Sequence, residues 1–300
     1  VQRAVESVIE QLELASGQVR RLFHGRGGGA PGLEWLVVDY LPPVAVIRAY
    51  TDELPEPVDS LVGALVGAGV EAVVLQLRGR GRSAQSEVLS GEVADKLVVE
   101  EAGLKYQVRP LQNQNSGLFL DMRPGRDWVR EHAQNRRVLN LFSYTCSFSV
   151  AAMAGGAESV LNIDMSSGAL ATGRINHQLN SLPTKTVGFM AVDLLRSWGR
   201  VRRHGPFDLV VIDPPSFQPG SFVAERDYRK VLRRLDEFVA GGGQVLACHN
   251  DPAHSEQFLR ELMEQEAPGF SFRQRLAQAE DFPEMDAENG LKVLLYQKDM

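Results

Sequence analysis

Two cysteines in 300 residues, Cys146 and Cys248, leave no disulfide framework to organise the chain. That excludes a small disulfide-stapled scaffold and makes a reducing, cytoplasmic setting the expectation. Long hydrophobic runs are missing too: Val70–Leu77 and Leu209–Ile212 contain or meet a charged residue well short of the ~20 residues of a membrane span. No membrane association is expected. The start, VQRAVESVIEQLELASG, has no basic stretch leading into an unbroken apolar one, so it does not read as a secretory signal. The six histidines are scattered and neither cysteine has a C-x-x-C partner, which removes the usual metal spacings. A net charge of −6 and a pI near 5.6 exclude a protein that coats nucleic acid through an overall basic surface. Lysine is scarce, since 26 of the 32 basic residues are arginine. These gather locally, as Arg20, Arg21, His24 and Arg26, as Arg78, Arg80 and Arg82, and as Arg196, Arg200, Arg202, Arg203 and His204, and the planar guanidinium fork suits phosphates.

What remains is the composition of an ordinary globular protein, with more chain than one core usually organises. Residues 2–15 carry apolar positions at helical spacing and Gly25–Gly29 breaks the pattern, so 1–30 is expected as a helical arm and Gly-rich linker. Extended runs over 34–39 and 44–50, split by Leu41-Pro42-Pro43, predict a hairpin. A helix near 58–67, a strand over 72–77, a polar loop RGRGRSAQSE and strands near 96–99 and 104–108 complete a small α+β domain over 31–110. From Val138 the grammar alternates. Strands at 138–142, 159–164, 186–193, 207–215 and 243–250 are separated by helices at 148–154, 166–180 and 226–240, which predicts a doubly covered parallel sheet in a third region, 111–300. After a helix at 255–264, FRQRLAQ and GLKVLLYQ are linked too briefly for a crossover and should pair antiparallel. The expected fold class is α/β, a Rossmann-like sheet of seven strands behind a smaller α+β domain.

Ligands of such sheets bind beyond the carboxyl ends of the strands. There the sequence offers Phe142, Ser143, Tyr144 and Thr145, then Asp164, Met165 and Ser166, then Asp193 and Leu194, then Asp213-Pro214-Pro215-Ser216-Phe217, and finally Cys248-His249-Asn250. The loop F-S-Y-T-C-S lacks the glycines that let a backbone hug a pyrophosphate, which argues against a nicotinamide cofactor. Carboxylates after the second and third strands suit the hydroxyls and amine of a nucleoside without phosphates, and S-adenosylmethionine is such a cofactor.

The runs QNSGLFLDMRPGRDWV (114–129), VLNLFSYTCSFSVAAMAGGA (138–157), VLNIDMSSGALATGRINHQLN (160–180) and DLVVIDPPSF (208–217) resemble the bacterial 23S ribosomal RNA cytosine-C5 methyltransferases, a class I family. LEWLVVDYLPPVAVIRAY, EEAGLKYQVRPL and the closing EDFPEMDAENGLKVLLYQ extend the similarity over roughly residues 31–300, with Phe282 where the family has histidine. The resemblance implies a methyl transfer from S-adenosylmethionine to ribosomal RNA. It adds Phe119, Asp121, Arg123 and Asn140 to the cofactor-binding residues, whereas the residues alone allow 119–123 to be a plain strand between domains. It implies Asp213 as catalytic, Pro215 and Phe217 against the target base, and Cys248 as the thiol that adds to cytosine C6 so that C5 can attack a methyl group. Residues 1–30 are too short for the family's leading PUA domain, so RNA capture is expected of the middle domain and the catalytic face. Cys146 and Ser147 stand for the glycines of its T-G-G loop and are expected near the cofactor's methionine part. A nitrogen-directed enzyme using Asp213-Pro214-Pro215 and a non-catalytic RNA-binding protein are the alternatives, and the oligomeric state is open, a homodimer included.

Overall fold

The computed structural model describes residues 1–79, 85–112, 115–218 and 222–300, with Phe217 and Gln218 described as backbone only. Contacts divide the chain into two units, Val1–Asp121 with Ala279–Asp286, and Met122–Gln278 with Ala287–Met300. The first is built from α1 (Gln2–Ala15), β1 (Arg20–His24), β2 (Leu36–Leu41), β3 (Val44–Ala49), α2 (Asp59–Gly67), β4 (Ala72–Leu77), β5 (Gln85–Ser90), β6 (Leu97–Glu101) and β7 (Leu104–Val108). Strands β1 to β5 form one sheet in chain order, β3 and β4 parallel and the rest antiparallel, and β6 and β7 make a separate hairpin. Period-two alternation explains its core: Leu36, Val38, Ala45, Ile47, Val73 and Leu75 point to one face and meet Ala4 and Val8 of α1 and Leu61 and Leu65 of α2. Residues 1–30, expected as a helical arm and Gly-rich linker, hold α1, which closes this core, and Arg20–His24, its edge strand. The expected polar loop is likewise shorter, since Gln85, Ser86 and Glu87 already pair with Leu77, Gln76 and Leu75.

The second unit contains α3 (Arg123–His132), β8 (Arg137–Leu141), α4 (Ser147–Ala154), β9 (Ser159–Asp164), α5 (Ser167–Leu179), β10 (Val187–Ala191), α6 (Trp198–Arg202), β11 (Phe207–Ile212), β12 (Phe217–Gln218), β13 (Phe222–Val223), α7 (Ala224–Leu232), α8 (Leu235–Phe238), β14 (Val239–His249), α9 (Glu256–Glu266), β15 (Phe270–Arg275) and β16 (Lys292–Lys298). Its sheet has seven strands in the order β10-β9-β8-β11-β14-β16-β15, parallel from β10 to β14 and closed by the antiparallel hairpin β15–β16. Both faces are covered, as the unbroken apolar strands require. Val138, Val160, Leu209, Val211, Leu246 and Cys248 pack with α3 and α4, while Leu139, Ile163, Val210, Ile212, Val245 and Ala247 pack with α7, α8 and α9.

Three expectations change. Residues 119–123 are not a strand: Leu120–Met122 is a 3-10 turn, and Arg123 opens α3 with proline in its first turn. The helix expected over 226–240 is two helices, and by Val239 the chain is already paired with Phe207, because Gly241-Gly242-Gly243 is poor helical material. The strands expected to reach Asp193 and Pro215 stop at Ala191 and Ile212, short of an Asp-capped turn in the first case and of two prolines in the second.

Candidate active site

Asp164 ends β9 and is the node of the strand-end crevice. One carboxylate oxygen accepts from the Tyr144 amide at 2.8 Å and the other from the Ser166 amide, also at 2.8 Å. The Asp164 carbonyl accepts from the Val192 amide at 3.0 Å, so the exits of β8, β9 and β10 are tied to this residue. A carboxylate has about four acceptor sites, and two backbone donors leave capacity for hydroxyls. Ser166 then caps α5, accepting from the Ala169 amide at 3.1 Å, and Met165 between them is half exposed.

The loop after β8 is backbone under strain. Phe142, Tyr144 and Cys146 have φ of 56°, 46° and 62°, left-handed values that favour glycine. Such conformations persist where the surroundings over-determine them, and they cluster at functional sites. Here the Ser143 amide donates to the Ile163 carbonyl, the Cys146 amide to the Ser143 carbonyl, and the Asn176 side chain to the Thr145 carbonyl at 2.9 Å. Cys146 does not line the crevice. Its sulfur packs against Gly173 of α5, where any side chain would collide with it, and burial pushes the thiol well above its ordinary range.

Beneath the loop runs a buried polar chain that sequence reasoning missed. Asn140 donates to Asn162 at 2.9 Å, Asn162 donates to Ser149 at 3.0 Å, the Ser149 hydroxyl lies 2.9 Å from His177 Nε2, and His177 Nδ1 lies 2.8 Å from the Gly173 carbonyl. A carbonyl can only accept, so Nδ1 carries the proton and Nε2 accepts from Ser149; burial, which pushes the His177 pKa down, agrees with a neutral ring. Asn140, expected at the cofactor, is fully buried in this chain. A signal existed: Asn140 and Asn162 are paired neighbours on adjacent strands, two amides at one register in otherwise apolar runs.

Asp193 caps the turn after β10, accepting from the Leu195 amide at 2.9 Å, and Leu194 is buried beneath it. After β11, Asp213 and Pro215 are half-buried and Pro214 is buried. The Ser216 hydroxyl donates to the Asn250 side chain at 2.6 Å, joining this loop to the end of β14. The Tyr228 hydroxyl lies 3.1 Å from the Cys248 carbonyl and 3.4 Å from the Ile212 carbonyl, and burial pushes its pKa up. Alternation along β14 decides what its last residues can do. Cys248, 0% exposed, points into the apolar layer with Leu246 and Val293; His249 lies among the rings of Tyr228, His254 and Phe258, its pKa pushed down to about 4 by burial; Asn250 is exposed. The residue that opens to solvent at this strand end is thus Asn250, which the sequence reading placed there without giving it a role. Phe119 and Asp121 belong to the first unit and Arg123 to the second. Arg80, Arg82 and the side chain of Phe217 lie outside the described residues.

The donor set suits a phosphate-free nucleoside cofactor: carboxylates after β9 and β10, and a first loop without glycine. Residues 20–297 match the S-adenosylmethionine-dependent methyltransferase family. Ribosomal RNA large subunit methyltransferase K/L of Shewanella sp. (strain ANA-3) is 33% identical over 223 residues, which is 72% of this chain and 31% of that protein, so the chain spans about a third of the length of such relatives. YwbD of Bacillus subtilis (strain 168), assigned by name, provisionally, as a ribosomal RNA large subunit methyltransferase, is 27% identical over 314 residues, covering 99% of this chain and 78% of its own. Among solved structures, a provisionally assigned S-adenosylmethionine-dependent methyltransferase from Streptococcus mutans shares the fold with a TM-score of 0.84 at 23% identity, over 99% of this chain and 81% of that one.

Proposed function

Since the chain belongs to the family of S-adenosylmethionine-dependent methyltransferases, we propose that it methylates a base of ribosomal RNA, at a nitrogen presented to Asp213-Pro214-Pro215. When bound, S-adenosylmethionine supplies a methyl group activated by its sulfonium. Asp164 holds the ribose hydroxyls with its remaining acceptor sites, and Tyr144 and Ser166 keep that carboxylate in place through their amides. Asp193 offers a second carboxylate toward the nucleoside. The target amino or ring nitrogen is oriented by the Asp213 carboxylate and the proline carbonyls, with Asn250, tied to Ser216, closing the loop from the β14 side. Ribosomal RNA as substrate is supported by the names of the curated relatives and by the local arginine clusters of an acidic chain.

The observation that carries nitrogen over carbon is the burial of Cys248. Methylation at cytosine C5 needs a thiolate that reaches the base, and this sulfur is enclosed by Leu246 and Val293. The cytosine-C5 reading rests on the family resemblance and on a cysteine at the right strand end. Unmethylated large-subunit ribosomal RNA, incubated with the enzyme and cofactor, should yield a nitrogen-methylated nucleoside on mass spectrometry, with Cys248→Ala and Cys248→Ser near normal and Asp213→Ala inactive. A covalent adduct with RNA carrying 5-fluorocytidine, lost in Cys248→Ser, would reinstate the carbon-directed mechanism.

A further inference from the structure

Of the arginines that the sequence gathers before residue 83, the structure divides the described ones into two kinds. Arg20 and Arg21 serve the fold. Arg20 donates to Gln11 at 2.7 Å, and Arg21 is held by the buried Asp39 at 2.5 Å, with the Arg48 guanidinium paired to the same carboxylate. Arg26 is of the other kind. It is exposed, forms no ion pair with any described residue, and lays its guanidinium 4.0 Å over the face of Tyr50. Arg78 approaches the same ring at 5.6 Å and donates to the Tyr50 hydroxyl at 3.3 Å, and Arg48 stands behind it, bonded with Arg78 to Gln76.

The backbone that presents Arg26 is fixed on both sides. Gly25-Arg26-Gly27 is a single 3-10 turn; a side chain at Gly25 would strike the Leu33 carbonyl, and one at Gly27 the Pro283 carbonyl. The fork is thus preorganised by stacking and by its turn, which lowers the entropy lost when it binds an oxyanion. The field agrees: arginines around Tyr50 hold its phenol below the ordinary range despite its burial, so negative charge is favoured at that point. On a chain with net charge −6, RNA needs such a local site.

We propose that Arg26 and Arg78, mounted on Tyr50, form a phosphate-binding site through which the first unit docks the backbone of the RNA substrate. This rests on the RNA reading above and deepens it by assigning the capture step to residues that lie outside the methyl-transfer loops. Exposed bases can share the same arginine–tyrosine platform, as stacked guanidinium and aromatic planes allow.

The test uses the full chain and fluorescently labelled, unmethylated large-subunit ribosomal RNA, with anisotropy followed across ~50–200 mM salt. Arg26 is exposed, so Arg26→Ala should fold, and its thermal melt confirms that it does. The site predicts roughly tenfold weaker RNA binding for Arg26→Ala, a salt slope smaller by about 0.7–0.9 for each phosphate left without its arginine, and unchanged calorimetric affinity for S-adenosylmethionine. Arg26→Lys should recover most of the slope but not the full affinity, since it restores the charge without the fork, and Arg20→Ala should behave as wild type. Equal affinity and equal slope for wild type and Arg26→Ala would overturn the site while leaving the RNA reading intact. Wild type that neither binds nor methylates this RNA would overturn both.

Discussion

A single carboxylate can serve a cofactor and its own fold at once, and both roles are proposed for Asp164. Its two oxygens fix the amides of Tyr144 and Ser166, and the acceptor capacity left over is what a ribose would use. Asp164→Ala is therefore expected to weaken S-adenosylmethionine binding tenfold or more, at ~1.5–3 kcal/mol for a charge-assisted hydrogen bond, and calorimetry on the folded variant checks it; unchanged affinity would remove Asp164 from the site. Its place was legible in the sequence, because an acid closing an apolar run marks the end of β9. The conformation of the loop it holds was not. Phe142, Tyr144 and Cys146 all take left-handed φ values, and nothing in their side chains announces it, since the choice is imposed by Ile163, Asp164 and Asn176 from distant parts of the chain. Only the resemblance, with glycine in place of Cys146, hinted at it. The surroundings of Cys248 were hidden for a related reason. The sequence places a thiol at the end of β14, but which face of the strand it takes is settled by the register against β16, where Cys248 sits opposite Val293.

Elements with uniform patterning were readable: the alternation of apolar strands and helices after Val138 gave a parallel sheet covered on both faces, because each strand buries both faces. Element ends set by side-chain contacts were not. Helix α7, expected from residue 226, begins at Ala224, and a carboxylate fixes that start. Asp227 is fully buried, accepts from the Val223 amide at 2.9 Å, and takes Arg226 at 2.8 Å and Lys230 at 2.7 Å, and these cations hold it well below the usual carboxylate range. Its pKa is lower folded than unfolded, so it stabilises the protein above its ordinary value of 3.8, and that contribution is lost as pH falls through the folded value. Asp227→Asn should cost about 1–3 kcal/mol at neutral pH, the exposure of both cations keeping it modest, and the gap in melting temperature from wild type should shrink as pH drops below about 4. A gap independent of pH would mean that Asp227 acts through packing or hydrogen bonding alone.

At the scale of the whole molecule, the first unit is not made from one stretch of chain. Ala279–Asp286, which is not a strand, joins it along β1: Asp281 accepts from the Arg21 amide at 2.9 Å, Glu284 pairs with His24 at 2.9 Å, and Phe282 lies 4.1 Å beneath the Arg21 guanidinium. Phe282→Ala should therefore destabilise the first unit, by about 3 kcal/mol or more for a buried phenylalanine, read as earlier loss of hydrogen-exchange protection in β1 and β2. Protection lost only in the second unit would contradict this. Nothing local in the sequence could have announced such a partner, because Arg21 and Asp281 are joined only by the fold. The discontinuity also sets a clock on biosynthesis. During translation, residues 1–121 leave the ribosome with Arg21 and His24 still awaiting their partners, which follow only when Asp286 has been made, on the order of ten seconds or more later at ~5–20 residues per second. The first unit is thus finished only after most of the second has been made, so chaperones that shield a nascent chain have a long task over residues 1–121.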